Sequence, residues 1–130
     1  MTVAPKERML VIEDDVALAK FLKTLLESFS YHVHVEGSGA PALHDAAEHR
    51  PDLVILDLKL PDIDGYEVCR QLRKLYNKWD VPILMLTGMD QPIDQLRGFA
   101  HGADAYLTKP CEPHELLKTI ARLLGETAPA

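Results

Sequence analysis

The chain has 130 residues, within the usual span of one domain, about 100–200 residues, which leaves no room for a second of ordinary size. Apolar residues make up 47% and charged residues 26%, a globular composition that excludes collagen-like, coiled-coil and broadly disordered chains. Fourteen basic residues against twenty acidic ones give a net charge of −6, so phosphate backbones would repel the chain and direct nucleic-acid binding is not expected.

In chain order, a leader over residues 1–8 precedes Met9 to Ile12, a continuous apolar run of strand length. The next segment carries Leu18, Phe21, Leu22, Leu25, Leu26 and Phe29 at helical spacing, with Asp14 or Asp15 available as its cap. His32 to Val35 alternates like an edge strand, and Pro41 opens a second helix bearing Leu43, Ala46 and Ala47. Leu53 to Leu56 is a second fully apolar run, followed by a helix with Val68, Leu72 and Leu75 and a polar connection from Tyr76 to Asp80. Ile83 to Leu86 is the third such run; a helix with Ile93, Leu96, Phe99 and Ala100 follows Pro92. Ala105 to Leu107 is a short fifth strand that stops at Lys109-Pro110. The last helix starts near Pro113, repeats Leu116, Leu117, Ile120, Leu123 and Leu124, and stops at Gly125. Residues 9–124 are thus expected to form the domain and 125–130 a flexible, frayed tail. Apolar runs without polar alternation suit strands covered on both faces, so the fold expected is α/β: an open, doubly wound parallel sheet of five strands. No apolar run approaches the roughly 18 residues of a membrane span, and the start lacks a signal-peptide core, so a cytoplasmic protein with no membrane partner is expected.

In open parallel sheets ligands bind beyond the carboxyl ends of the strands. There the sequence places Glu13-Asp14-Asp15 after the first strand, Asp57 after the third, Thr87-Gly88 after the fourth and Thr108-Lys109-Pro110 after the fifth. Each alone has an ordinary explanation as a cap, a turn residue or a solvated charge. As a set they do not, because two ionised carboxylates about 5 Å apart cost on the order of 3 kcal/mol at an effective dielectric near 20. Such a cluster calls for a cation, and hard oxygen ligands suit Mg²⁺, which usually shares its shell with a phosphate. With a hydroxyl and an ammonium beside it, an aspartate can attack phosphorus to form an acyl phosphate; Asp57 stands alone at the sheet centre and is the better candidate.

Other features read as structural. Cys69 and Cys111 fit neither metal spacing nor a disulfide framework and are expected as reduced, partly buried thiols. His32 and His34 face one side of a strand but lack a third zinc ligand. Gly37-Ser38-Gly39 lacks the ending of a phosphate loop and reads as a turn.

The stretches Leu10 to Asp15, Leu53 to Gly65, Met85 to Gly88 and Gly102 to Pro110 together resemble the receiver domain of two-component response regulators, the CheY-like superfamily, from about Met9 to Leu124. That resemblance implies a flavodoxin-like (βα)5 fold with strand order 2-1-3-4-5, the order for which a receiver protein serves as a standard example. It implies that Asp57 accepts a phosphoryl group from a sensor histidine kinase or a histidine phosphotransfer protein. Glu13, Asp14, Asp57 and the backbone carbonyl of Lys59 would hold Mg²⁺, with Mn²⁺ as an alternative ion. Thr87 and Lys109 would hold the phosphoryl oxygens, Thr87 and Tyr106 would act as the switch pair, and the Lys109-Pro110 bond would be cis. The surface of helix four, strand five and helix five would signal to an output domain or a downstream protein. Arg97, Asp104, Glu115 and Lys118 would be the charged residues of a homodimer on that face. The resemblance describes a signalling domain and not an enzyme. The alternatives are a Mg²⁺-dependent phosphatase with an aspartyl-phosphate intermediate and a pseudo-receiver that binds partners without phosphorylation.

Overall fold

Leucine, isoleucine and valine fill the central strands, and their side chains are out of water on both sides of the sheet. The computed structural model describes residues 7–126. The elements run β1 (Arg8–Ile12), α1 (Val16–Ser28), β2 (His32–Glu36), α2 (Gly39–Glu48), β3 (Leu53–Leu56), α3 (Gly65–Leu75), β4 (Ile83–Thr87), α4 (Pro92–Ala100), β5 (Ala105–Thr108) and α5 (Pro113–Leu124). All strand pairs are parallel, in the order β2-β1-β3-β4-β5. This is the flavodoxin-like fold that the resemblance implies. Several strands run a residue or so beyond their apolar stretch, so Thr87 and Thr108 close β4 and β5 rather than follow them.

The period of two along each strand divides the core. Leu10, Ile12, Val54, Leu56, Ile83 and Met85 face α2 and α3, where Ala42, Ala46, Val68, Cys69 and Leu72 meet them. Met9, Val11, Leu53, Ile55, Leu84 and Leu86 face α1 and α5 and pack on Leu22, Leu26, Leu116, Leu117 and Ile120. Each such side chain contributes about 1.5–3 kcal/mol when fully buried, so a strand covered on both faces has no use for polar alternation.

Helix ends follow local chemistry. Asp15, not Asp14, caps α1, accepting from the Leu18 amide at 3.1 Å. The side chain of Asp64 caps α3 by accepting from the Tyr66 amide at 2.9 Å. At α2 the cap position, Ser38, makes no side-chain bond. Asp62, in the loop after β3, does that work from a distance, accepting from the amides of Gly39 at 2.7 Å and Ala40 at 2.8 Å. Those amide hydrogen bonds hold the Asp62 carboxyl below its usual range. Gly125 ends α5 in the left-handed region at φ 72°, and Glu126 follows with its carboxylate accepting from the Tyr31 hydroxyl at 2.6 Å. This part of the expected tail is therefore tied down, while residues 1–6 and 127–130 lie outside the described residues. At the other end, Arg8 belongs to β1 rather than to a leader.

Two amphipathic readings need correcting. In α1 the buried residues are Ala19, Leu22 and Leu26, whereas Phe21 and Phe29 lie at the margins of the stripe and are partly in water. In α4 the apolar residues Ile93, Leu96 and Phe99 are 52%, 65% and 48% exposed, and the buried positions are Asp94 and Gly98. Asp94 is turned inward because its carboxylate accepts from the Gln91 amide in a capping box.

Asp104, expected among the charged residues of a homodimer face, is occupied within the chain. Arg73 of α3 pairs with it while donating to the carbonyls of Gly102 at 2.8 Å and Val81 at 2.6 Å. Asp104 also accepts from the Ile83 amide at 2.8 Å. Arg73 thus staples α3 to the segments that lead into β4 and β5. Replacing Arg73 with Ala is expected to lower unfolding free energy by about 2 kcal/mol in urea titration, because it leaves partly buried acceptors unmatched. Arg73→Lys should recover only part of that loss, since an ammonium cannot reproduce the three-way fork.

Candidate functional site

Register brings the candidate residues to one rim. Ile12 pairs with Leu56, so Glu13 and Asp57 are neighbours just past the ends of β1 and β3. Thr87 pairs with Thr108, which puts Lys109 one step beyond on the adjoining strand. The Asp57 amide donates to the Ile12 carbonyl at 3.0 Å and the Lys109 amide to the Thr87 carbonyl at 2.8 Å, extending the ladder to the site.

Side chains then converge. The Lys109 ammonium lies 2.7 Å from Glu13 Oε1 and 3.0 Å from Asp57 Oδ2. Glu13 is 3% exposed, Asp57 5% and Thr87 0%, while Asp14 faces water. Burial pushes the Glu13 carboxyl above its ordinary range, against the lowering pull of hydrogen bonds from Lys109 and the Asp15 amide. Burial also works against the Lys109 charge, but hydrogen bonds to Glu13 and Asp57 outweigh it and raise its affinity for the proton. The other Asp57 oxygen accepts from the Lys59 amide at 3.3 Å.

Glu13, Asp14 and Asp57 each offer a carboxylate oxygen within 4.8 Å of the others. Metal–oxygen distances of about 2.1 Å put octahedral ligand oxygens roughly 3–4 Å apart, so these three fit a small hard dication with little movement. Three carboxylates against one ammonium leave a formal charge of −2 at the rim, the charge one such ion neutralises.

Behind the rim, the Thr87 hydroxyl accepts from the Met89 amide at 3.3 Å and Tyr106 donates to the Met89 carbonyl at 2.6 Å. Burial raises the Tyr106 pKa, so its hydroxyl stays protonated and available as a donor. The Lys109-Pro110 peptide is cis, as expected. Gly65 opens α3 directly under the site, donating to the Leu58 carbonyl at 2.9 Å. A β-carbon there would stand 2.4 Å from Leu58 Cα and 2.7 Å from the Asp57 carbonyl oxygen, so the end of β3 and the start of α3 meet this closely only through glycine.

The features read as structural remain so. Both cysteines are free; burial pushes the Cys69 thiol up to about 11 and also raises that of Cys111, so neither is set up as a thiolate. His34 lies 2.6 Å from Glu36 and 3.6 Å from Asp45, while His32 is exposed. Among the described residues the rim triad is the sole three-ligand group. Two neighbours of the site escaped the sequence reading. Tyr66 donates to the Asp94 carbonyl at 3.1 Å, and Gly98 lies against the Tyr106 ring. No sequence signal singles them out, because α4 also carries Gln95 and Arg97, among which Asp94 does not stand apart.

A doubly wound parallel sheet with carboxylates, a hydroxyl and a lysine gathered at its carboxyl rim defines a flavodoxin-like domain built to handle charged groups there. Residues 9–121 match the family model of the response regulator receiver domain, and the chain belongs to that family, a signalling domain of two-component systems. It is 41% identical to the DNA-binding dual master transcriptional regulator RpaA of Synechocystis sp. over 92% of this chain and 50% of that protein. The chain spans about half the length of the curated relatives it matches. A CheY-like receiver domain protein from Methanospirillum hungatei superposes with a TM-score of 0.88 at 30% identity, covering 93% of this chain and 95% of that one. The receiver domain of sensor histidine kinase PA1611 from Pseudomonas aeruginosa, solved with a magnesium ion coordinated in its active-site cleft, gives 0.85 at 30% identity, covering 94% of this chain and all of the other (100%). Among the described residues no helix is long and apolar enough to cross a membrane.

Gly65→Ala is expected to cost about 1–3 kcal/mol in chemical denaturation, the range for overpacking, because backbone rather than a movable side chain stands in the way. A stability equal to that of the parent would show that the strand end and helix start separate more easily than their spacing implies.

Proposed function

We propose that Asp57 is the phosphoacceptor of this receiver domain and takes its phosphoryl group from a sensor histidine kinase or a histidine phosphotransfer protein. The observation that carries this reading is the Asp57 carboxylate itself, 5% exposed at the end of the central strand, with one oxygen on Lys109 and acidic neighbours beside it. A carboxylate oxygen of Asp57 forms a bond to phosphorus as the phosphorus–nitrogen bond of the phosphohistidine breaks. The bonding electrons stay with the imidazole, which is protonated from solvent. Lys109 stays beside Asp57 and pairs with a phosphoryl oxygen; the Thr87 hydroxyl, at the end of the adjacent strand, donates to another.

Glu13, Asp14, Asp57 and the backbone carbonyl of Lys59 are the groups that would hold Mg²⁺, or Mn²⁺ in its place. When bound, the ion supplies positive charge against the phosphoryl oxygens. The chain acts as a phosphoryl acceptor and does not turn over an external substrate.

Thr87 and Tyr106 carry the signal outward, since both bond the backbone of Met89 from opposite ends of one residue. Drawing the Thr87 hydroxyl to a phosphoryl group frees the Met89 amide and shifts the balance between two arrangements of α4, β5 and α5. That surface addresses an output domain or a downstream protein, and Arg97, Glu115 and Lys118 are available there for a homodimer. The setting is the cytoplasm, without a membrane partner or direct nucleic-acid contact by this domain.

Incubation with a small acyl-phosphate donor and Mg²⁺ should add one phosphoryl group by intact mass, with no addition under chelation or in Asp57→Asn. No addition to the parent under any condition would overturn the acceptor role. Separately, millimolar Mg²⁺ should raise the melting temperature by about 3–5 °C through binding to the native state alone. Asp14→Ala should abolish that rise in a thermal melt; an undiminished rise would put the ion elsewhere.

A further inference from the structure

α4 rests on the domain through a narrow footing. Its buried positions, Asp94 and Gly98, are four residues apart and so lie one above the other on a single face. Each stands on a tyrosine. Tyr66 donates to the Asp94 carbonyl, and the Tyr106 ring fills the space under Gly98. A β-carbon at position 98 would lie 2.9 Å from Cδ2 and 3.1 Å from Cε2 of that ring, and 2.8 Å from Met85 Sδ.

The backbone does not call for glycine at this point. The positive-φ glycines are Gly102 and Gly125, whereas Gly98 sits within a helix, where alanine is the better residue. What excludes alanine is the ring, together with Met85 Sδ beside it. The same ring is fixed at its far end by the 2.6 Å bond from its hydroxyl to Met89, in the loop that leaves Thr87. One side chain therefore joins the loop beside the acidic rim to the underside of α4.

We propose that Gly98 is the positioning residue of the Tyr106 switch: its bare α-carbon opens the seat that the ring occupies, and occupancy of that seat couples the Thr87–Met89 loop to α4. This rests on the reading of Asp57 as phosphoacceptor and Tyr106 as its responder. A methyl group at position 98 removes the seat without touching the rim, so phosphorylation and its readout come apart.

The test is a set of four proteins: the parent, Gly98→Ala, Tyr106→Ala and the double variant. Gly98→Ala should lower the melting temperature of the parent, and lower that of Tyr106→Ala clearly less, because there the ring is gone and Met85 Sδ is the remaining close neighbour. A loss in Tyr106→Ala as large as that in the parent overturns the seat. In a second arm, the parent and Gly98→Ala are treated with acyl phosphate and Mg²⁺. Both should gain one phosphoryl group by mass, while the phosphorylation-dependent change in hydrogen exchange over residues 89–106 should be lost in Gly98→Ala. The same exchange change in both overturns the coupling. An unphosphorylated parent removes the acceptor reading instead, and the thermal comparison still decides the seat.

Discussion

Two buried carboxylates share one ammonium at the carboxyl rim of the sheet, and most of the molecule is arranged around that contact. Parallel register between β1 and β3 forces Glu13 and Asp57 to be neighbours, because residues just past paired positions have nowhere else to go. Removing either from water while both are charged is unfavourable, and Lys109 reaches across from the far side of β4 to offset it. The compensation is incomplete by design of the inventory: three acidic groups face one basic group. The rim is left attractive to a dication and, with that ion in place, to a phosphoryl group. The close approach at Gly65 belongs to the same constraint, since it fixes the end of β3 from which Asp57 projects.

α4 is mounted differently from the other helices. α1 and α5 press leucines into the sheet, whereas α4 turns Ile93, Leu96 and Phe99 outward and meets the domain through a capping aspartate and a glycine. Little apolar area holds it down, so its stability relative to a displaced position is small and easily biased. The residues that do hold it are tyrosines, whose hydroxyls select particular carbonyls and whose rings demand particular spaces.

The fold was legible in the sequence because its three central strands are unbroken apolar runs and rim residues follow those runs directly; Leu53 to Asp57 alone identifies a central strand and what it presents. Glu13, Asp14, Asp57, Thr87 and Lys109 were legible for the same reason. Helical periodicity misled at α4, where apolar spacing marks an exposed stripe and the packed face is carried by Asp94 and Gly98. Nothing in a one-dimensional pattern tells which face of a short helix is covered. The partner of Asp104 was not legible for a related reason: Arg73 lies on another element, 31 positions away, and only the packing of α3 against β4 and β5 brings them together. The cap of α2 by Asp62 is equally nonlocal.

That remote cap makes the two loops around the acidic rim mechanically unequal. The loop after β3 is bolted through the Asp62 carboxylate to two amides of α2, and through Gly65 to α3, so it behaves as a strut. The loop after β4 is tied by a carboxylate only to the helix that follows it, through Asp94 on the Gln91 amide, and otherwise leans on the hydroxyls of Thr87 and Tyr106. Bulk or charge added between them meets a stiff wall on one side and a compliant one on the other. Displacement at the rim therefore meets less resistance toward α4 and β5 than toward α2 and α3, which share a face of the sheet with α4.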